Sequence, residues 1–145
     1  MLKLNFDILI HASPAIVWNT LFEAATYEQW TAAFCAGSRF EGSWEQGSEM
    51  RFLAPDGRGL QAQIEESRRE AHLAIQHRAE IDASGQLREM EPAYECYDLR
   101  DELGSTRLEV SLDVPPHHES YMRRTWPLAL ALLKQLCENR TAAAR

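Results

Sequence analysis

The sequence predicts an α+β domain: a curved antiparallel sheet of about seven strands wrapped around a long C-terminal helix, with two short helices after the first strand. Three observations predict it. Residues 3–11 alternate and lead straight into a helical segment, residues 38–114 are a succession of short alternating runs broken by turn residues, and residues 118–139 return to helical spacing. Such a sheet has one face to cover, and a single helix covers it only if the sheet curls round the helix. A helix gripped in this way is expected to leave a wedge between itself and the strands, and a pocket can form there.

The elements follow in order. Leu4, Phe6, Ile8 and Ile10 share one face of the first strand, with Asn5 and Asp7 opposite; Leu9 breaks the alternation. Ser13-Pro14 supplies an N-cap and a first-turn proline for a helix carrying Ile16, Val17, Leu21 and Phe22 at helical spacing, and a second short helix is expected from Tyr27 to Ala33. Gly42, Gly47, Pro55-Asp56-Gly57 and Gly59 then punctuate strands at 38–44, 48–54, 59–68, 71–80, 92–102 and 105–114. In the last of these Leu108, Val110, Leu112 and Val114 alternate with polar residues, and Leu103-Gly104-Ser105 makes a short hairpin before it. Pro115-Pro116 ends the ladder because neither proline has an N–H. In the long helix, Leu128, Leu132, Leu133, Leu136 and Cys137 form an apolar stripe, and Pro127 predicts a kink or a break and restart. The tail from Thr141 is expected to fray.

Composition narrows the function. One domain over 1–145 is expected, without repeats or low-complexity tracts. A net charge of −7 repels nucleic acid and anionic membranes. No apolar run approaches the roughly 18–20 residues that span a bilayer, and the opening MLKLNFDILIHAS reads as a strand rather than a signal peptide. Cys35, Cys96 and Cys137 are odd in number and far apart, so three free thiols in a reducing compartment, by default the cytoplasm, are expected. No cofactor and no metal site is predicted. His117 and His118 are adjacent and cannot face one metal from a helix, and Arg123-Arg124 reads as a solvated face. There is no nucleophile elbow, phosphate loop or zinc-protease helix.

Taken together, the motifs resemble a known group. Ser13-Pro14 through Val17-Trp18 with Trp30 beyond, Gly47 through Phe52, Pro55-Asp56-Gly57, Gly59-Leu60, and Thr106-Arg107-Leu108 after Gly104 resemble the START-like, or SRPBCC, superfamily of polyketide cyclase and plant-allergen type. Trp126-Pro127 with Leu130, Leu133 and Lys134 resembles the C-terminal helix of its branch related to the activator of a heat-shock chaperone ATPase. The resemblance implies the helix-grip fold and a cavity for lipids, polyketides, hormones or other apolar molecules. Some members are cyclases or dehydratases, and the chaperone-activator name belongs to a few larger eukaryotic proteins. Fold likeness supports a pocket and supplies no reaction.

Strand alternation assigns the faces. Leu73 and Ile75 point inward and carry His77 with them; Leu99 points inward and carries Tyr97 and Glu95. If the intervening connection is symmetric about residue 86, His77 lies across from Glu95, and such a pair in an apolar cleft can serve as a general base with its orienter, as a head-group site, or as a structural salt link. Tyr97 adds a hydroxyl or a stacking face. The expected wall is Met50, Phe52, Ile64, Ile75, Tyr97, Leu99, Leu112 and Trp126; Trp18 and Trp30 are expected in the core, and Trp44 can be either. Three functions stay open: binding of a small hydrophobic or amphipathic ligand, a cyclase or dehydratase using His77 and Glu95, and a protein-interaction domain that helps a chaperone or forms a homodimer through a sheet edge or the long helix.

Overall fold

The alternation that opens the chain becomes an edge strand, β1 (Leu2–Ile10), in the computed structural model, which describes residues 1–144. Ser13 caps the helix that follows: its Oγ accepts from the Ile16 N–H at 3.3 Å, and Pro14 sits in the first turn of α1 (Pro14–Phe22). The second helix, α2 (Ala24–Trp30), starts before Tyr27, and its expected last turn is a separate 3-10 turn at Thr31–Ala33. Strands β2 (Arg39–Gly42), β3 (Glu49–Leu53), β4 (Gly59–Arg68), β5 (His72–Ile81), β6 (Leu87–Glu102) and β7 (Ser105–Val114) precede α3 (Glu119–Ala143). All seven strands form one antiparallel sheet in the order β1-β7-β6-β5-β4-β3-β2. β1 and β2 therefore lie at opposite edges, and α1 and α2 carry the chain from one edge to the other.

Besides α2, three elements differ from expectation, each for a local reason. β2 stops at Gly42, whose φ of +112° and crowded position (a Cβ there would lie 2.5 Å from the Glu49 carbonyl oxygen) suit only glycine, so Trp44 leaves the strand. β6 begins at Leu87 instead of Pro92, because residues 90–92 bulge opposite Arg78 and the proline, which has no N–H to give, falls inside that bulge. The connection before β6 shrinks to a tight turn in which the Asp82 carboxylate accepts from the N–H groups of Ser84 and Gln86. Finally, α3 runs unbroken through Pro127 and continues to Ala143, past the point where fraying is expected.

Register places the concave face row by row. One row reads Leu4, Leu112, Glu95, Ile75, Ile64 across β1, β7, β6, β5 and β4. The next reads Ala93, His77, Ala62, Met50, Gly42 across β6 to β2. Against these strands α3 lays Trp126, Ala129, Leu130, Leu133 and Cys137, and α1 and α2 add Trp18, Leu21 and Trp30, all buried. Trp30 donates its indole N–H to the Leu21 carbonyl at 3.1 Å, so its one polar atom is paired inside the core. The outward side of α3 keeps two apolar residues in solvent, Leu128 and Leu132, the first 62% exposed.

Helix α3 is also fastened to the edge of the sheet. Lys134 donates from Nζ to the Leu9 carbonyl and to Glu138 Oε2, each at 2.7 Å, while Glu138 Oε2 accepts from the His11 N–H at 2.9 Å. An edge carbonyl and an edge N–H of the β1 segment are thus satisfied by one ion pair from the helix. At the far end Arg140 donates to Thr20 Oγ1 and Glu23, tying α3 to α1.

Two outcomes follow from this packing. Leu133 is fully buried, so Leu133→Ala should cost about 2–5 kcal/mol in urea unfolding, whereas Leu128→Ala on the same helix should stay within about 0.5 kcal/mol. Lys134, then the His11 N–H, hold the Glu138 carboxyl below its ordinary value. A carboxylate depressed in the folded state stabilises above its unfolded pKa, and that contribution is lost as pH falls through the folded value. Glu138→Gln should therefore lower the melting temperature by roughly 1–3 °C at pH 7 and have no effect near pH 2; an equal loss at both pH values would refute the clamp.

Candidate functional site

A carboxylate interrupts the concave row of aliphatic side chains. Glu95 has Leu112 directly across on β7 and Ile75 directly across on β5. His77 is not its direct partner, because His77 pairs with Ala93; the two side chains meet diagonally, with Nε2 of His77 3.0 Å from Oε1 of Glu95. The other carboxylate oxygen, Oε2, accepts the Tyr97 hydroxyl from two residues along the same strand face. The His77 side chain is 10% exposed and that of Glu95 24%, so the pair is sheltered without being sealed.

Electrostatics follow from this arrangement. Burial by itself pushes the Glu95 carboxyl up, but the hydrogen bond and charge of His77 and the hydrogen bond from Tyr97 outweigh it and hold the group below its ordinary value. Glu95 is then ionised at neutral pH and can only accept hydrogen bonds, so the Nε2 of His77 that faces it carries a proton. Burial, then the Glu95 charge, push the Tyr97 hydroxyl well up and keep it a neutral donor. Tyr27 on α2 is raised for the same reasons in the same order, which places it too within the field of Glu95.

Around the polar group lies a closed circuit of side chains. Phe52 meets His77 edge-on with ring centroids 5.6 Å apart, and Trp44 lies 5.7 Å from Phe52. Phe22 lies 4.6 Å from Trp44 and 5.5 Å from Tyr97, and Tyr97 returns to Glu95 and His77. Tyr27 packs on the Trp44 and Phe52 side of this circuit at 6.0 and 6.4 Å, with Phe40 beside it. Two buried nitrogens of the circuit have no hydrogen-bond partner: Nε1 of Trp44 and Nδ1 of His77.

The expected wall residues divide between two places. His77, Glu95, Tyr97 and Phe52 come together in the circuit, with Met50, Ile64, Ile75 and Leu112 on the adjoining strand positions. Trp126 lies deeper, stacked among Phe6, Trp30, Phe34 and Tyr97 at 5.0–6.3 Å, so at this point aromatic rings fill the wedge expected between α3 and the sheet. Leu99 is buried directly across from Leu108, two residues past Tyr97. Trp18 and Trp30 are core. Two clefts flank the sheet away from α3, one at the β5–β6 turn by Asp82 and Arg88, the other along Glu49, Gln61 and Glu89. Sequence reasoning missed Phe22 and Tyr27 as members of the circuit and left Trp44 open between core and wall; the available signal was the density of aromatics in residues 18–52, which gives no hint of which rings meet.

Among the described residues, no helix is long and apolar enough to cross a membrane, and no group of three or more His, Cys, Asp or Glu is placed to hold a metal ion. The three cysteines are unpaired.

Comparison with known proteins extends the picture. The chain is similar to protein MLL2253 from Mesorhizobium loti, at 15% identity over 95% of this chain and 98% of that one, with a TM-score of 0.76. It is similar to the Aha1 dimer from Colwellia psychrerythraea at 17% identity, over 95% and 97% of the two chains, with a TM-score of 0.72. CalU16 from Micromonospora echinospora shares the fold at 14% identity, over 97% and 79%, with a TM-score of 0.68. At these identities the likeness shows the helix-grip fold alone. No curated protein matches the chain. The family of the activator of Hsp90 ATPase homolog 1-like protein matches residues 11–138, from the end of β1 through most of α3, and the chain belongs to that family.

Proposed function

We propose that the protein binds a small hydrophobic or amphipathic molecule at the aromatic circuit on the concave face of the sheet, beneath α1 and α2. The observation that carries this reading is the polar group itself. An ionised carboxylate in a row of aliphatic residues is costly to bury, and a core that needs only stability is served as well by a leucine there. Here the cost is met by His77 and Tyr97, and the cluster still leaves two nitrogens unpartnered beside four aromatic rings. Apolar walls with a few convergent polar groups are the composition of a small-molecule site.

A second reading has one observation in its favour. With Nε2 committed to Glu95, the neutral form of His77 has its lone pair on the unpartnered Nδ1, and a positioned imidazole with a carboxylate behind it can take a proton from a bound molecule. Proton abstraction of the cyclase or dehydratase kind would use that nitrogen, with Tyr97 holding Glu95 in place. The binding reading needs no reaction and leads.

The test is titration with N-phenyl-1-naphthylamine, a neutral apolar probe whose fluorescence rises in a dry site. The protein should bind one equivalent, Phe52→Asp should weaken binding at least about tenfold by charging the wall, and Leu128→Asp on the outward side of α3 should leave it within about twofold. Absence of saturable binding, or equal loss in both variants, would overturn the proposal.

A further inference from the structure

Three buried side-chain polar atoms in the described residues lack a partner, and their positions differ in kind. Oε1 of Gln61 lies towards the Glu49 side of the sheet, where the same amide's nitrogen already donates to Glu49. The other two, Nε1 of Trp44 and Nδ1 of His77, both belong to the aromatic circuit and flank the same ring, Phe52. His77 is 7% exposed as a residue, so its free nitrogen is buried in earnest. Leaving a buried donor or acceptor unmade is unfavourable, and two such atoms on one ring call for a partner that brings its own hydrogen bonds.

The chemistry of the two atoms says what that partner carries. An indole N–H only donates, so Trp44 requires an acceptor on the ligand. His77 donates through Nε2 to an ionised carboxylate, so whenever the ring is neutral Nδ1 is its acceptor and asks for a donor on the ligand. The charge of the surroundings completes the argument. Glu95 is the ionised group of the site, and neither concave row described above contains a lysine or arginine. A ligand carboxylate or phosphate would meet the Glu95 charge with no lysine or arginine in these rows to answer it.

We infer that Trp44 and His77 are the head-group contacts of the site and that the ligand is a neutral hydroxylated aromatic, whose oxygen accepts from Trp44 Nε1 and whose O–H donates to His77 Nδ1, with carboxylate-bearing analogues rejected. This inference rests on the binding reading above and adds two things to it: Trp44 as a recognition residue, and a selection against anions. The flat rings of Phe22, Phe52 and Tyr27 suit an aromatic body. The two nitrogens are complementary in kind, one asking for an acceptor and the other for a donor.

Competition against N-phenyl-1-naphthylamine with three probes of one shape tests it: 1-naphthol, naphthalene and 1-naphthoate at pH 7.5. The expected result is that 1-naphthol binds at least about tenfold more tightly than either of the others. Trp44→Phe, which keeps a ring and removes the N–H, and His77→Gln, whose amide can still donate to Glu95 but offers no Nδ1, should each bring the naphthol-to-naphthalene ratio down to about one, whatever the absolute affinities. Equal binding of all three probes would overturn the head-group assignment and leave the binding reading standing. Tighter binding of 1-naphthoate would overturn it by showing that His77 presents a second N–H to an anion. Failure of N-phenyl-1-naphthylamine itself to bind would remove the site and this inference with it.

Discussion

Glu95 stands between Leu112 and Ile75 on the concave face, and the surrounding structure is arranged to hold its charge there. Removing a carboxylate from water is costly, and the protein offsets that cost locally with a histidine one row away and a tyrosine on the same strand face. Each partner is itself fixed by packing. Phe52 braces the His77 ring from β3, and Phe22 braces the Tyr97 ring from α1. The polar group therefore couples three strands and a helix, and its geometry depends on all of them.

That dependence explains why the termini of the grip matter to a site they do not touch. The circuit includes Phe22 at the end of α1 and Trp44 in the β2–β3 connection, and α1 is held down by α3 through Arg140 and by the shared core around Leu21, Leu130 and Leu133. The Lys134–Glu138 pair in turn fixes α3 to the β1 edge. Displacing α3 would shift α1, and with it one side of the circuit. The deep aromatic cluster around Trp126 serves the same end: it fills the space under α3, while the polar group and its aromatic circuit lie towards α1 and α2.

Much of the fold was legible because its signals are local. Period-two alternation gave the strands, proline and glycine gave the turns, and Ser13-Pro14 gave the helix start, all of which depend on neighbours in sequence. The site was legible only in part. Face assignment put His77, Glu95 and Tyr97 on one side, which holds, but the pairing of His77 with Glu95 is diagonal because the turn centres earlier than residue 86. The bulge that hides Pro92 could not be read from periodicity, which treats each residue as one step along the ladder. Trp44 was equally hidden: its neighbours Phe22, Tyr27, Phe40 and Phe52 come from four separate elements, and only tertiary packing brings them together. Trp126 shows the opposite error, where a large aromatic on the facing helix reads as a wall and is core.

The central claim is that an ionised Glu95 fixes the proton of His77 on Nε2 and turns Nδ1 into an open acceptor at the site. Long-range 1H–15N correlation of the His77 imidazole in the ligand-free protein, recorded where the ring is neutral, reads this directly. A protonated Nε2 with a lone-pair Nδ1 is the predicted pattern, changing to the free tautomer mixture in Glu95→Gln. A dominant Nδ1–H tautomer in the unsubstituted protein would contradict the account, because the nitrogen assigned to ligand recognition would then be a donor and Glu95 would no longer be holding the ring.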